Sequence, residues 1–192
     1  MARELNRDGS RPFITWYDAA SGARVELSVA TTANWVAKTA GYLADELVIE
    51  PGDAVAVDPS LHWITAVLLL ATWTIGGRVA AAGDGAELVE VPLDPMGAGF
   101  SRLVAVYPDQ FVASEASGGD VGADVGELPS GGRLLTTLPL DGAGLGWGLL
   151  APLAAGGSVV YVTGTDDVAD IAGTERATHT VGVDVAGLPR LG

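Results

Sequence analysis

The side chains that could support phosphate or adenylate chemistry are scarce in this sequence. One lysine, Lys38, and nine arginines stand against 24 acidic residues, and the formal charge is −14. Phosphoryl and adenylyl transfer need cations that offset the charge building on oxygen. Lys38 falls in a stretch that predicts a helix, where we expect a solvated surface charge, and the scattered arginines form no obvious clamp. The sequence therefore predicts no catalytic residue.

Metal ligands and nucleophiles are equally sparse. The chain has two histidines, His62 and His179, and no cysteine, and two histidines without a local carboxylate cluster do not indicate a metal site. Three acids, Asp166, Asp167 and Asp170, suit the first turn of a helix, where the helix dipole favours them. No Gly-x-Ser-x-Gly elbow is present, which disfavours a hydrolase. We predict no metal site.

Two glycine-rich stretches invite a ligand-binding interpretation. Residues 142–148 read GAGLGWG, but Trp147 occupies the place of the third glycine in a G-x-G-x-x-G fingerprint. A flexible loop followed by tight helix packing is the simpler interpretation. Residues 118–127 alternate glycine with acids and match no calcium-loop spacing. We predict an acidic glycine-rich loop over residues 114–130.

Length and composition indicate one folded domain over residues 1–192. Hydrophobic residues make up 48% of the chain, which is typical of a globular core and not of disorder. The acidic surface disfavours nucleic acid and anionic membranes as partners. The longest apolar run, residues 63–75, is shorter than the roughly 20 residues that span a bilayer. With no apolar leader-like segment, we expect a cytoplasmic protein.

Periodicity predicts alternating strands and helices, which favours an α/β fold with a mostly parallel sheet flanked by helices. A β-hairpin is expected first, then a helix, and then a β-α-β unit whose two strands should pair in parallel. The expected strands are 12–18, 24–27, 54–57, 78–82, 87–93, 103–107, 134–138, 158–162 and 178–183, and the expected helices are 60–75, 145–155 and 166–175, besides the helix that follows Ser28.

Several blocks occur in an order that resembles a known superfamily. They are Leu27-Ser28 with the helix after it, VIEPGDAVAV (48–57), HWITAVLLLATWTIGGRVA (62–80), TLPLDGAGLGWGLLAPLAAGGSVVYV (137–162) and ERATHTVGVDVAGLPRL (175–191). The chain resembles a truncated N-terminal half of the adenylate-forming, AMP-binding enzymes, which include acyl-CoA synthetases, luciferases and peptide-synthetase adenylation domains. More narrowly, it resembles a short actinobacterial group of unassigned function. The resemblance implies one lobe of the large domain of such enzymes.

The resemblance also implies which parts should carry chemistry. Family members activate a carboxylate with ATP, and they use a Ser/Thr/Gly-rich phosphate loop ending in Pro-Lys-Gly. They also use a Tyr-Gly-x-Thr-Glu motif, a Thr-Gly-Asp motif and a lysine on a C-terminal domain, none of which is expected in this sequence. The nearest counterpart of the phosphate loop is SEASGGD (114–120), which keeps Ser114, Ser117, Gly118 and Gly119 as candidate nucleotide-binding residues but has no lysine.

Two joins, near residues 78–88 and 102–107, are shorter than in the superfamily, either as true deletions or because segments are missing. Two functional hypotheses follow. The first is a non-catalytic binding or interaction module with no cofactor, whose leftover apolar surface is buried in a homodimer or by another protein. The second is a residual enzyme that binds ATP or AMP with magnesium, or an acyl-CoA, and is completed by another chain. A basic residue facing the strand ends near residues 107–120 would favour the second hypothesis.

Overall fold

The computed structural model describes residues 8–80, 85–112, 124–165 and 167–192. The chain divides into two compact units. The first unit comprises Met1–Ala30, Pro59–Trp63 and Ala123–Gly192, and the second comprises Thr31–Asp58 and Ile64–Gly122. The single-domain organisation expected for residues 1–192 stays a prediction.

Strands and helices alternate along most of the described chain. In chain order they are β1 (Pro12–Asp18), β2 (Ala23–Ser28), α1 (Val29–Asp45), β3 (Ala54–Val57), α2 (Trp63–Thr74), β4 (Arg78–Val79), β5 (Glu87–Val89), α3 (Ala98–Val104), β6 (Arg133–Thr136), α4 (Gly142–Leu145), a π-helical turn (Gly146–Leu150), α5 (Ala151–Ala154), β7 (Ser158–Thr163), α6 (Ala169–Thr174) and β8 (His179–Val181).

The first unit is built on a five-stranded sheet in the order β2-β1-β7-β6-β8. Only the β1–β2 hairpin is antiparallel; β1–β7, β7–β6 and β6–β8 all pair in parallel. The strand β7 reads SVVYVT and is buried over its first five residues, because a central parallel strand is covered on both faces. The predicted hairpin and the predicted mostly parallel sheet are confirmed.

One face of this sheet forms an apolar core with α6 and the segments around it. Its fully buried members are Leu135, Val160, Val162, Val168, Ala172 and Ala177. They come from β6, from β7 and from the stretch around α6, which is how the helix is fixed against the sheet. The chain reaches this helix from the end of β7.

The second unit carries a smaller parallel sheet in the order β4-β3-β5. Both of its pairs, β3–β4 and β3–β5, are parallel. The β3-α2-β4 crossover expected from the sequence is therefore present. The apolar character of WITAVLLLATWT, the sequence of α2, is explained by burial, since all residues from Trp63 to Thr72 are buried.

The prediction of a strand over residues 103–107 is wrong. The segment Ala98–Val104 is a helix, α3, and residues 105 and 106 form a turn. Apolar residues Leu103, Val104 and Val106 stand close together, and such a short apolar run fits a strand or a helix equally well. The helix is favoured by hydrogen bonds at its N-terminus, where the Asp94 carboxylate accepts from the N–H groups of Ala98 and Gly99, each at 2.8 Å.

Within the described residues, no helix is both long enough and apolar enough to cross a membrane.

Candidate functional site

The strands β6 and β7 run in parallel and end side by side, with Thr136 opposite Tyr161. A cleft of about 440 Å³ opens just past these ends, lined by Thr137, Val162, Thr163, Gly164 and Thr165. Open α/β sheets bind ligands outside the carboxyl ends of their strands. The cleft is therefore the candidate site of the first unit.

Hydroxyl groups give the cleft its chemistry. The Thr163 Oγ1 donates to the Tyr17 carbonyl at 3.1 Å, and its lone pairs stay available as acceptors. The Thr165 Oγ1 accepts from the N–H of Asp167 at 3.0 Å. These threonines can exchange hydrogen bonds with a polar ligand, but they carry no charge that would balance a polyanion.

Gly164 is required by the shape of the cleft wall. Its φ of +78° lies in the left-handed region, and a Cβ at this position would lie 3.0 Å from the Ala20 nitrogen and 3.2 Å from the Asp18 Oδ1. A side chain here would be strained and crowded at the same time. The Asp18 carboxyl stays ionised readily, because hydrogen bonds led by the Ser21 hydroxyl lower its pKa. A negative charge thus lies beside the cleft.

Two arginines of the sheet, Arg24 and Arg133, bind the carboxylate of Glu175 in the first unit. The Glu175 Oε1 accepts hydrogen bonds from the Tyr17 hydroxyl at 2.5 Å and from Arg24 Nη2 at 2.9 Å, and its Oε2 accepts from Arg133 Nη2. Burial alone raises the pKa of Glu175, but these hydrogen bonds outweigh burial and the pKa is lowered. Because Arg133 is the first residue of β6, its Cα lies at the strand end opposite to the cleft.

Two further arginines of the first unit, Arg11 and Arg190, also have internal partners. Arg11 Nη1 donates to the Gly157 carbonyl at 2.6 Å, just before β7 begins. Arg190 pairs with Asp184 at 2.9 Å. Among the described residues that line the cleft, none is a lysine or an arginine.

Lys38 differs from its sequence-based interpretation. The lysine was expected as a solvated charge, but its side chain is only 24% exposed in the second unit. Its Nζ donates to the Tyr107 carbonyl at 2.7 Å and pairs with Asp109 at 2.9 Å. The spacing of residues along α1 could not predict this ion pair, because the Tyr107 carbonyl and Asp109 lie about 70 residues further along the chain. Both also lie at or beyond the segment 103–107, for which the sequence pattern predicts a strand. Lys38 fixes this segment against α1.

The two histidines do not form a site together. His62 is buried, and its ring lies 4.4 Å from that of Trp16 and 5.8 Å from that of Trp63. His179 lies at the start of β8 and exchanges a hydrogen bond with the Thr178 hydroxyl at 2.8 Å. Across the part of the chain that the structure describes, no three His, Asp or Glu side chains group so as to hold a metal ion.

Two glycines of residues 142–148, Gly144 and Gly146, serve close packing. A Cβ on Gly144 would lie 1.8 Å from the Pro139 carbonyl oxygen, and one on Gly146 would lie 2.0 Å from that of Asp124. The segment is helical and includes the π-helical turn at Gly146–Leu150. The predicted tight packing is confirmed at Gly144 and Gly146, and the predicted loop is wrong for residues 142–144, which are helical. The candidate nucleotide-binding residues Ser114, Ser117, Gly118 and Gly119 lie outside the described residues.

Comparison with solved structures identifies the class of fold. MatB from Rhodopseudomonas palustris superposes with a TM-score of 0.69 at 18% identity, over 94% of this chain and 48% of MatB. An inhibitor-bound N-terminal domain of FACL13 from Mycobacterium tuberculosis gives 0.74 at 14% identity, over 94% and 61%. A Brucella canis acyl-CoA synthetase gives 0.66 at 14% identity, over 92% and 46%. The fold is that of one lobe of acyl-CoA synthetase-like enzymes, and the chain spans about half the length of MatB.

A sequence relative narrows the class to a family. A TIGR03089 family protein from Mycobacterium tuberculosis is 32% identical over an alignment of 211 positions, which covers 84% of this chain and 87% of the relative. The chain belongs to the TIGR03089 family. This agrees with the resemblance to a short actinobacterial group. No protein-family model matches the sequence.

Proposed function

We propose that this chain is a non-catalytic member of the adenylate-forming superfamily that acts as a binding or interaction module. One observation carries the proposal: the described residues that line the cleft at the carboxyl ends of β6 and β7 are threonines, a valine and a glycine, and none of them is basic. Acyl-adenylate formation requires positive charge where pyrophosphate leaves. Here Arg24 and Arg133 are committed to Glu175 instead.

The charge balance of the first unit supports the same proposal. The Asp18 carboxylate beside Gly164 adds negative charge where a triphosphate would approach. The formal charge of −14 adds long-range repulsion of a polyanion. A ligand of this cleft is better matched if it offers hydrogen-bonding groups without a cluster of negative charges.

Pyrophosphate exchange tests the absence of catalysis. The purified protein is incubated with ATP, magnesium, labelled pyrophosphate and a mixture of carboxylic acids, beside an active acyl-CoA synthetase as positive control. We expect no label in ATP above the protein-free background. Exchange that depends on both the protein and a carboxylic acid would overturn the proposal.

A second function, a residual enzyme that binds AMP, ATP or an acyl-CoA and is completed by another chain, is favoured by the position of the cleft. Titration calorimetry with AMP, magnesium–ATP and an acyl-CoA separates the two functions. Under the main proposal we expect no heat from either nucleotide. Micromolar nucleotide binding that Thr163→Val abolishes, and that Thr178→Val at the opposite end of the sheet leaves intact, would establish the second function.

The proposed module also needs a partner for its apolar surface. We propose a homodimer as the simplest arrangement, because a second copy supplies a matching surface without any further component.

A further inference from the structure

The cleft at the ends of β6 and β7 offers hydrogen-bond acceptors to a ligand. A threonine hydroxyl has one proton and two lone pairs. The Thr163 hydroxyl donates its proton to the Tyr17 carbonyl at 3.1 Å, so while it keeps this bond it can only accept from a ligand. The Thr165 Oγ1 accepts from the Asp167 N–H and lies 3.5 Å from the Asp167 carbonyl oxygen, at the long end of the range for donating to it. The lone pairs that remain on these two hydroxyls match a ligand that donates.

A carboxylate stands next to these hydroxyls. Asp18 is the last residue of β1 and lies directly opposite Thr163 in the parallel pairing with β7. Its Oδ1 would lie 3.2 Å from a Cβ on Gly164, in the cleft wall. The Ala20 N–H and the Ser21 hydroxyl each donate to one of its oxygens, but a carboxylate has about four lone-pair sites. Asp18 therefore keeps acceptor capacity for a ligand as well as its charge.

The chain around the cleft adds acids and no base. Residues 134–175 include all the described residues that line the cleft, and this stretch contains five acids but no lysine, arginine or histidine. Arg24 lies in the neighbouring strand β2, but its guanidinium is bound by two glutamates. The His62 ring also acts on the Asp18 carboxylate, as a weaker influence than the hydrogen bonds that lower the pKa of Asp18. A positive charge on a ligand would therefore be attracted to this end of the sheet.

We infer that this cleft binds a small organic ammonium ion, whose N–H groups donate to the Thr163 hydroxyl and to the Asp18 carboxylate. This inference rests on the proposed function as a binding module and names the class of its ligand. An ammonium nitrogen combines several donors with a full charge, which matches a hydroxyl acceptor beside a carboxylate. A phosphate or carboxylate ligand would be repelled by the same groups. The cleft volume of about 440 Å³ lies in the range of small-molecule sites.

NMR titration of the full chain tests this inference at pH 8, where an unperturbed histidine is neutral. The probe is n-butylammonium chloride, and the matched control is butyltrimethylammonium chloride, which has the same charge but no N–H donor. We expect butylammonium to shift the methyl signals of Thr137 and Thr165 with a millimolar Kd, because so small a ligand makes few contacts. The trimethyl compound should bind at these positions at least about tenfold more weakly.

Variants separate the cleft from the general attraction of an acidic chain. The formal charge of −14 attracts any cation, so Asp18→Asn is compared with Glu127→Gln, which removes the same charge. Glu127 is exposed and precedes Leu128, which packs beside Gly157 at the sheet end opposite to the cleft. Asp18→Asn should weaken butylammonium binding about tenfold, and Glu127→Gln by less than about twofold. Thr163→Val should weaken binding as well, whereas Thr163→Ser keeps the hydroxyl and should retain it.

The outcomes are distinct. Equal binding of butyltrimethylammonium would overturn the inference, because charge alone would then explain the shifts. Unchanged affinity in Asp18→Asn or in Thr163→Val would overturn it too, as would the absence of a saturable shift in the wild-type protein. Thermal melts check that each variant is folded, and the two Thr163 variants carry the test if Asp18→Asn is unfolded. Pyrophosphate exchange is measured without the amine, so catalysis in that assay would overturn the proposed function and leave the titration result unchanged.

Discussion

Both units use an ion pair to attach a late segment of the chain to an earlier element, but at different depths. In the first unit the Glu175 side chain is 7% exposed and meets Arg133, which is 15% exposed. In the second unit Lys38 is 24% exposed and meets Asp109, which is 58% exposed. Removing one partner of a buried pair leaves an uncompensated charge, whereas an exposed charge returns to water. The same type of contact should therefore carry very different energetic weight in the two units.

The largest expected effect comes from Glu175→Gln. The substitution keeps the shape of the side chain but leaves Arg133 buried without its counter-charge, so we expect a loss of roughly 3 kcal/mol in the free energy of unfolding. Urea titration followed by tryptophan fluorescence measures it. Glu26→Gln is the control, because the Arg24–Glu26 pair is 42% and 38% exposed and should contribute less than about 1 kcal/mol. Equal losses in the free energy of unfolding in both variants would contradict the expectation that a buried ion pair contributes more than an exposed one.

Two glycines extend the comparison from charge to packing. A Cβ on Gly144 in the first unit would meet a backbone carbonyl at 1.8 Å, whereas one on Gly41 in the second unit would meet the Tyr107 ring at 2.8 Å. Backbone cannot yield as a side chain can, so we expect Gly144→Ala to cost about 2–3 kcal/mol. Gly41→Ala should stay within about 1 kcal/mol, because the ring can shift and alanine favours the helix. Differential scanning fluorimetry measures the loss of stability in each variant. A larger loss in Gly41→Ala than in Gly144→Ala would contradict this prediction.

Lys38→Met has a smaller expected effect. The variant keeps the aliphatic stem and loses the hydrogen bond to the Tyr107 carbonyl, which should cost about 1 kcal/mol. Because Asp109 is exposed, its own charge can be solvated. Limited proteolysis reports the local consequence, since cleavage near residues 105–112 should become faster than in wild type. Arg78→Met is a suitable control, because Arg78 Nε donates to the Gly52 carbonyl at 3.2 Å in another part of the second unit.

The smallest expected effect is a pH dependence. Hydrogen bonds from Tyr17, Arg24 and Arg133 hold the folded-state pKa of Glu175 below that of an ordinary glutamate, so its contribution is fully present above the unfolded pKa and is lost as the pH falls through the folded pKa. The free energy of unfolding should therefore decrease below about pH 4.5 more steeply in wild type than in Glu175→Gln. Urea midpoints at low protein concentration measure this. Parallel curves would show that Glu175 does not titrate as described.

The local sequence pattern was sufficient to predict an element where burial and hydrophobic periodicity indicate the same structure. The buried strand β7 and the apolar helix α2 stand where the sequence placed them, because a run of buried residues leaves few alternatives. The strand predicted over residues 103–107 failed because α3 is decided by Asp94, a capping side chain outside the predicted segment. Hydrogen bonds and ion pairs between residues far apart in the sequence could not be predicted either. Nothing near Lys38 in sequence reveals Tyr107, and nothing near Glu175 reveals Arg24 or Arg133. The cleft could not be predicted from the sequence for the same reason, since β6 and β7 become neighbours only in the folded sheet.

The parallel pairing of β1 with β7 sets an order of events during synthesis. Residues 12–18 must wait for residues 158–163 before that part of the sheet can close. At translation rates of about 5–20 residues per second the wait lasts roughly 7–30 seconds. All of the second unit is made within that interval. The apolar side chains of β1, among them Phe13, Ile14 and Trp16, are made long before β7 and are covered late. The nascent chain thus carries a hydrophobic segment whose parallel partner strand does not yet exist.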